Sequence, residues 1–301
     1  MKTNLDENII QKSWDLVQSD SKIKNFYFFP GVISIIFLTY ILVYQVLYTY
    51  VTLFNQEDKA LQVFLDVIHS NYITEIVIGS VIFLIIYIFM MPIFEGTLIS
   101  YISKKSDDEY VSISESFGNG IYKFFPLFEY SNIFSQFKFI TLLNAYLFCF
   151  RFIGLEYVSI LNYSFLFLLI ISTIINIMFV YSKYEILLKN KKALEAITES
   201  TKISILTIAS TTKLYFFMFL LNLRVIINFL VFLIFPLLII FALSYITTKI
   251  FMIITIIFLS IIFLILIIFL GYLGGVLDVF KTSIWYHAYI EGKKRIKEVE
   301  N

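Results

Sequence analysis

Apolar runs alternate along this chain with shorter polar segments, and several runs are too long and too free of charge for a water-soluble fold. A run of about 18 or more nearly uncharged residues can cross the ~30 Å hydrocarbon core of a bilayer as one helix. The first extends from about Tyr27 to Phe54 and the second from about Ile76 to Tyr101. The run from Phe137 to Tyr181 exceeds one crossing and divides near Gly154, Leu155 and Glu156, which predicts two helices closed as a tight hairpin. Leu214 to Phe280 divides in the same way, with Thr247, Thr248 and Lys249 as its turn. The pattern predicts an all-α, polytopic membrane bundle of six transmembrane helices over 27–280. A cytoplasmic amphipathic segment, 1–26, precedes it and a cytoplasmic basic tail, 281–301, follows it.

Composition agrees with this reading. The 301 residues are 59% hydrophobic and only 15% charged, against about 45–50% and about 25% for an ordinary soluble domain. A disordered chain would need low hydrophobicity and high net charge. The N-terminal stretch is polar and mixed in charge. It lacks the short apolar core of a secretory signal, so the first span is expected to be a retained anchor.

Charge adds an orientation. The net charge is only +1, but the lysines and arginines are unevenly placed. Nineteen fall in the N-terminal segment, the connections after the second and fourth spans, and the tail; Lys59, Arg151 and Lys249 fall on the other side. The positive-inside rule then places both termini in the cytoplasm of a cell-membrane protein. Arg224 fits either of two arrangements. If the fifth span covers about Val225 to Tyr245, Arg224 lies at the cytoplasmic interface and snorkels. If the span begins at Leu214, Arg224 falls near the midplane beside Asn222 and Asn228 and needs a partner.

The cytoplasmic connections are the long ones. After the second span, Phe117, Ile121, Phe124 and Phe128 recur at helical spacing. After the fourth, Leu187, Leu194, Ile197 and Ile205 form a comparable stripe beside Lys189, Lys191 and Lys192. Both connections read as amphipathic helices on the inner leaflet or capping the bundle. The three lysines are candidate contacts for anionic lipid headgroups. The two connections repeat one order of features, with Ser112 to Ser116 and Ser200 to Ser204 in corresponding places, which suggests an internal duplication. In the last span, Gly271 and Gly275 have the GxxxG spacing that admits a close helix neighbour, in the same chain or in a second copy. Trp285, Tyr286 and Tyr289 read as an aromatic belt at headgroup level.

Candidate chemistry is sparse. Glu95, in Met91-Pro92-Ile93-Phe94-Glu95-Gly96, and Asp278 are the acids embedded in apolar helical sequence. An intramembrane carboxylate is a candidate proton carrier, ion ligand or partner for Arg224, and Pro92 with Gly96 could open the backbone locally. His69 and His287 read as solvated or interfacial, and Cys149 has no partner for a disulfide. Signatures of nucleotide, dinucleotide, hydrolase and zinc-protease chemistry are absent. No cofactor, metal or nucleic-acid partner is expected, and membrane lipids and other membrane proteins are the expected partners.

Several short stretches carry a resemblance: Lys12-Ser13-Trp14, Phe29-Pro30, Pro92 to Gly96, FGNGIYKFFPLF over 117–128, KKALEAITES over 191–200, and VFKTSIWYHAYIEG over 279–292. In these the chain resembles a family of six-helix bacterial and archaeal membrane proteins of unknown function. That family is distantly similar to the membrane domain of some glycerophosphodiester phosphodiesterases. The resemblance implies six helices and no assigned activity; the soluble phosphodiesterase barrel is absent, so its activity does not carry over. The expectation is a non-enzymatic lipid- or protein-binding scaffold. The alternative is a small-solute or ion transporter using Glu95, Asp278 and Arg224.

Overall fold

The computed structural model describes residues 5–53, 57–107, 110–153, 155–223 and 249–300. Among these residues every element is a helix: α1 (Leu5–Ser19), α2 (Ser21–Leu53), α3 (Glu57–Ile68), α4 (Ile73–Ser106), α5 (Ile113–Tyr122), α6 (Phe124–Ser135), α7 (Phe139–Ile153), α8 (Val158–Phe179), α9 (Ser182–Lys189), α10 (Ala193–Leu206), α11 (Ile208–Leu223) and α12 (Lys249–Glu300). Four helices are long and apolar enough to cross a membrane. The count rises to six if the bent pairs α6–α7 and α10–α11 each make one span. The apolar surface of α4 supports the membrane reading. Ile76, Val77 and Ile78 point in three directions around the helix, yet each is exposed, a display that water does not tolerate.

The predicted break after the third span is present, where α7 ends at Ile153 and a short 3-10 turn, Leu155–Tyr157, leads into α8. Other boundaries differ from the sequence reading. α2 begins at Ser21 and runs through Pro30, with Asp20 as its cap: Asp20 Oδ1 accepts the N–H groups of Lys22 (2.9 Å) and Ile23 (3.3 Å). α12 continues without a break from the last apolar run into the tail. α3 occupies the connection between the first two long apolar helices, for which the sequence reading named no helix. The fifth span, from about Val225 to Tyr245, lies outside the described residues, as does Arg224.

The chain forms two compact units. Unit 1 comprises residues 1–23, 92–226 and 279–301; unit 2 comprises 24–91 and 227–278. In unit 2, α2 packs closely on α12. Ile35 is buried among Leu38, Phe263, Leu266, Ile267 and Leu270, and Phe37 stacks on Tyr87 of α4 with ring centroids 3.9 Å apart.

Unit 1 is held by small polar residues as much as by apolar ones. The last four carbonyls of a helix have no intrahelical donor, and at the end of α8 three are met from outside. Tyr130 donates to Phe179 O at 3.0 Å, Ser200 to Met178 O at 2.7 Å and Ser204 to Ile177 O at 2.9 Å. Ser200 Oγ also accepts the Tyr181 N–H at 3.0 Å. The buried face of α10 is therefore Ala193, Ala196, Ser200, Ile203 and Ser204, small enough for close approach. Leu194 and Ile205 of the predicted apolar stripe point outward. Ser200→Ala takes away the acceptor of the buried Tyr181 N–H, while Met178 O keeps the Ser204 hydroxyl at 3.2 Å, and should cost about 1–3 kcal/mol, read as a lowered unfolding midpoint in detergent; Thr198→Ala, on the exposed side, is the control.

The stripe through Phe117, Ile121, Phe124 and Phe128 is also divided. Pro126 has no N–H to give the Tyr122 carbonyl, so α5 stops at Tyr122 and α6 starts afresh at Phe124. Lys123 N donates to Asn119 O, and Leu127 N to Lys123 O. Trp285, Tyr286 and Tyr289 do not face outward as the side chains of an aromatic belt would. They are buried in unit 1, where Tyr181, at the N-cap of α9, and Tyr184 of α9 pack against Trp285 and Tyr289 with centroids 5.9 and 5.5 Å apart.

Candidate functional site

The charged groups of unit 1 gather where α9, α10 and α12 meet. α9 ends at Asn190, in the left-handed conformation (φ 57°) that asparagine adopts more easily than most residues. This reversal turns Lys191 back over its own helix, placing its Nζ 3.1 Å from Glu185 Oε2. Glu185 is fully buried. From α12, Lys293 Nζ approaches Glu185 Oε1 at 2.5 Å and the Tyr289 hydroxyl donates to the same oxygen at 3.1 Å. Glu199 of α10 lies 3.6 Å from Lys191, 3.9 Å from Lys293 and 2.8 Å from Lys202. Two carboxylates and three ammonium groups thus meet at the junction of three helices, so both acids are fully compensated and one positive charge is left over. A buried carboxylate without such partners would be far too costly to keep charged.

A second pair sits at the α6–α7 break. Lys183 Nζ lies 2.6 Å from Glu95 Oε1, with Tyr130 and Lys138 within electrostatic reach of the carboxylate. The carbonyl released at the break, Phe137 O, accepts from the Ser172 hydroxyl and from Asn176 Nδ2 (2.7 Å), one turn apart on α8. Glu95 is therefore paired with a lysine that the sequence reading counted only for topology. Gly96, beside it, serves packing: a Cβ there would come within 3.1 Å of Gly120 Cα and 2.8 Å of a Leu127 methyl.

The remaining candidates separate. Asp278 is in unit 2, half-buried on α12, with Tyr87 within electrostatic reach. Lys191 is committed to Glu185 and Glu199, which withdraws it from the expected lipid-facing trio. Lys189 and Lys192 are exposed. Gly271 and Gly275 face α2 of the same chain, against Val32 and the Tyr27 carbonyl, so that groove is filled from within. His287, expected to be solvated, is half-buried between helices, with Nδ1 2.8 Å from Ser283 O and 3.1 Å from Ser13 Oγ. Glu185, Glu199, Lys183 and Lys293 escaped the sequence reading. The available signal was Glu185 itself, an acid between Tyr184 and Ile186 at apolar helical positions.

Two cavities bear on chemistry. One, in unit 1, is lined by Tyr181, Thr207, Ser210 and Glu291 and holds about 10 Å³, at the lower limit for a single water. The other is an open apolar groove of about 480 Å³ in unit 2, lined by Phe28, Ile265, Phe269 and Tyr272. Neither is lined by Glu95 or Asp278. No group of three or more His, Cys, Asp or Glu residues is placed to hold a metal ion among the described residues.

These features define a class: an all-α helical membrane protein whose buried Glu185 and partly buried Glu95 are paired with lysines within the fold. No protein-family model, no curated protein and no solved structure matches the chain.

Proposed function

We propose that this protein is a non-enzymatic, multi-pass module of the cell membrane, with both termini cytoplasmic, that engages anionic lipid headgroups through the α9–α10 turn. The observation that carries this reading is the division of labour among the lysines of that turn. Lys191 is spent on the buried carboxylates, whereas Lys189 and Lys192 are exposed beside Leu194, itself 67% exposed. Cations next to an apolar side chain on a surface helix are the composition of a headgroup contact. The nineteen-to-three distribution of basic residues supports the orientation. Membrane proteins attracted by the same surface are the further partners of such a scaffold.

Near-surface lysines contribute about 1 kcal/mol each toward anionic lipid. Lys189→Gln with Lys192→Gln should therefore lower the preference for spin-labelled phosphatidylglycerol over phosphatidylcholine by up to roughly 30-fold. An unchanged preference would remove the proposal. A second reading, ion or solute transport, draws on the Glu95–Lys183 pair beside the broken α6–α7 helix. Its signature would be a proteoliposome flux abolished by Glu95→Gln.

A further inference from the structure

The corner between α5 and α6, in the connection that follows α4, displays two large aromatic side chains together. Tyr122 is 79% exposed and Phe125 78% exposed, with Ile121 beside them about half exposed. Lys123 sits between the two aromatics at the break, its Nζ 4.9 Å from the Tyr122 ring centroid. In a water-facing loop such a display would be a liability.

Two independent measures give the depth of this corner. Along α4, Glu75 and Glu95 are separated by 20 residues, about 30 Å at ~1.5 Å per residue, the thickness of the hydrocarbon core. The two carboxylates are therefore one core thickness apart along α4, and the spanning reading of α4 puts Gly96 near the face on the side of Lys104 and Lys105. Gly120 of α5 abuts Gly96, since a Cβ on Gly120 would lie 2.5 Å from Ile93 O and 2.9 Å from Thr97 N. The corner is thus held at the level of that face.

The second measure runs along α6 and α7. α7 has 15 residues, about 22 Å of helix, too short to cross alone. α6 has 12 residues and meets α7 at 45°, adding about 13 Å along the α7 direction. Together they reach about 35 Å, which brings the start of α6 to the edge of the same ~30 Å core.

We infer that the α5–α6 corner is an interfacial anchor that inserts Tyr122 and Phe125 into the phospholipid headgroup layer of the protein's own membrane, with Lys123 reaching the phosphates. Aromatic rings favour this layer because it accepts both their apolar body and, for tyrosine, a polar tip. A lysine on a flexible stem snorkels from the same depth to the phosphates. The inference rests on the membrane-spanning reading of α4 but not on any preference for anionic lipid.

The test uses full-length protein with Trp14→Phe and Trp285→Phe, reconstituted in phosphatidylcholine. Single reporters are introduced as Phe125→Trp, Tyr122→Trp and, at the midpoint between Glu75 and Glu95, Ile85→Trp. Phe125→Trp and Tyr122→Trp should be quenched at least two-fold more by lipid brominated near the headgroup than by lipid brominated near the chain end. Iodide should quench them several-fold less than free tryptophan, and Ile85→Trp should show the reverse lipid preference. Quenching of Ile85→Trp by brominated lipid, with Phe125→Trp and Tyr122→Trp open to iodide or shielded from both, would overturn the anchor alone. Absence of lipid quenching at Ile85→Trp as well would overturn the spanning reading with it.

Discussion

Replacing Glu185 by alanine should lower the stability of the folded protein by about 3 kcal/mol, the low end of the range for breaking a buried ion pair. The low end applies because Lys191 and Lys293 keep 28% and 22% of their side chains exposed and regain water when the carboxylate is lost. The variant removes the carboxylate shared by Lys191, Lys293 and Tyr289 and leaves the two ammonium groups only the more distant Glu199, at 3.6 and 3.9 Å. Thermal unfolding in detergent should register the loss. Adding Lys293→Met to Glu185→Leu should restore part of it, because an apolar pair of similar volume carries no desolvation cost. The resulting coupling energy isolates the pair from the packing around it. Equal midpoints for wild type and Glu185→Ala would mean that the cluster is solvated and contributes nothing to joining α9 to α12.

Gly31→Ala should be comparably damaging within unit 2, at about 3 kcal/mol, the upper end for overpacking a core. A Cβ on Gly31 would lie 2.8 Å from Gly275 N and 3.0 Å from Gly275 Cα, and closer still to the Gly271 carbonyl oxygen. All three are backbone atoms, so no side chain can rotate away and the helices must separate. Separation would forfeit the contacts of Ile35 with Phe263 and Leu266. Gly79→Ala is the matched control, since nothing lies within 4 Å of a Cβ there and alanine is the better helix former. A Gly31→Ala midpoint no lower than that of Gly79→Ala would contradict the close crossing of α2 and α12.

Several features of the sequence carried more information than hydrophobic period alone extracts. Pro126 sits inside the stripe from Phe117 to Phe128 and disfavours one straight helix there. Counting apolar positions passes over it because the proline is itself compatible with the first turn of a new helix. The stripe of large residues on 187–205 is real, but Leu194 and Ile205 face outward. In a membrane protein lipid can cover large apolar side chains, and it is small ones such as Ala196 and Ser200 that let helices approach. Trp285, Tyr286 and Tyr289 have the composition of an interfacial belt. Their burial depends on α9 lying against α12, a contact between segments about a hundred residues apart that no local pattern reports.

The charge count illustrates the same limit. Lys183, Lys191 and Lys293 contribute to a one-sided distribution that composition and spacing make plain. Whether each lysine faces phosphate or a buried carboxylate is not encoded in that distribution. It follows from the left-handed turn at Asn190 and from the meeting of α9, α10 and α12.

The sequence by itself determined the all-α class, the apolar helices long enough to cross a bilayer, the break between α7 and α8, and the uneven placement of basic residues. These follow from local free energies: transferring an apolar run out of water, closing backbone hydrogen bonds within one segment, and charge along the chain. Only the tertiary structure decided that Glu95 pairs with Lys183, that Glu185 is neutralised from two other elements, that Gly271 and Gly275 are filled by α2, and that the tail aromatics are core. Each of these depends on which helix surfaces meet. That choice is governed by close packing and the need to satisfy every buried charge and carbonyl, terms that acquire a value only when distant segments are brought together.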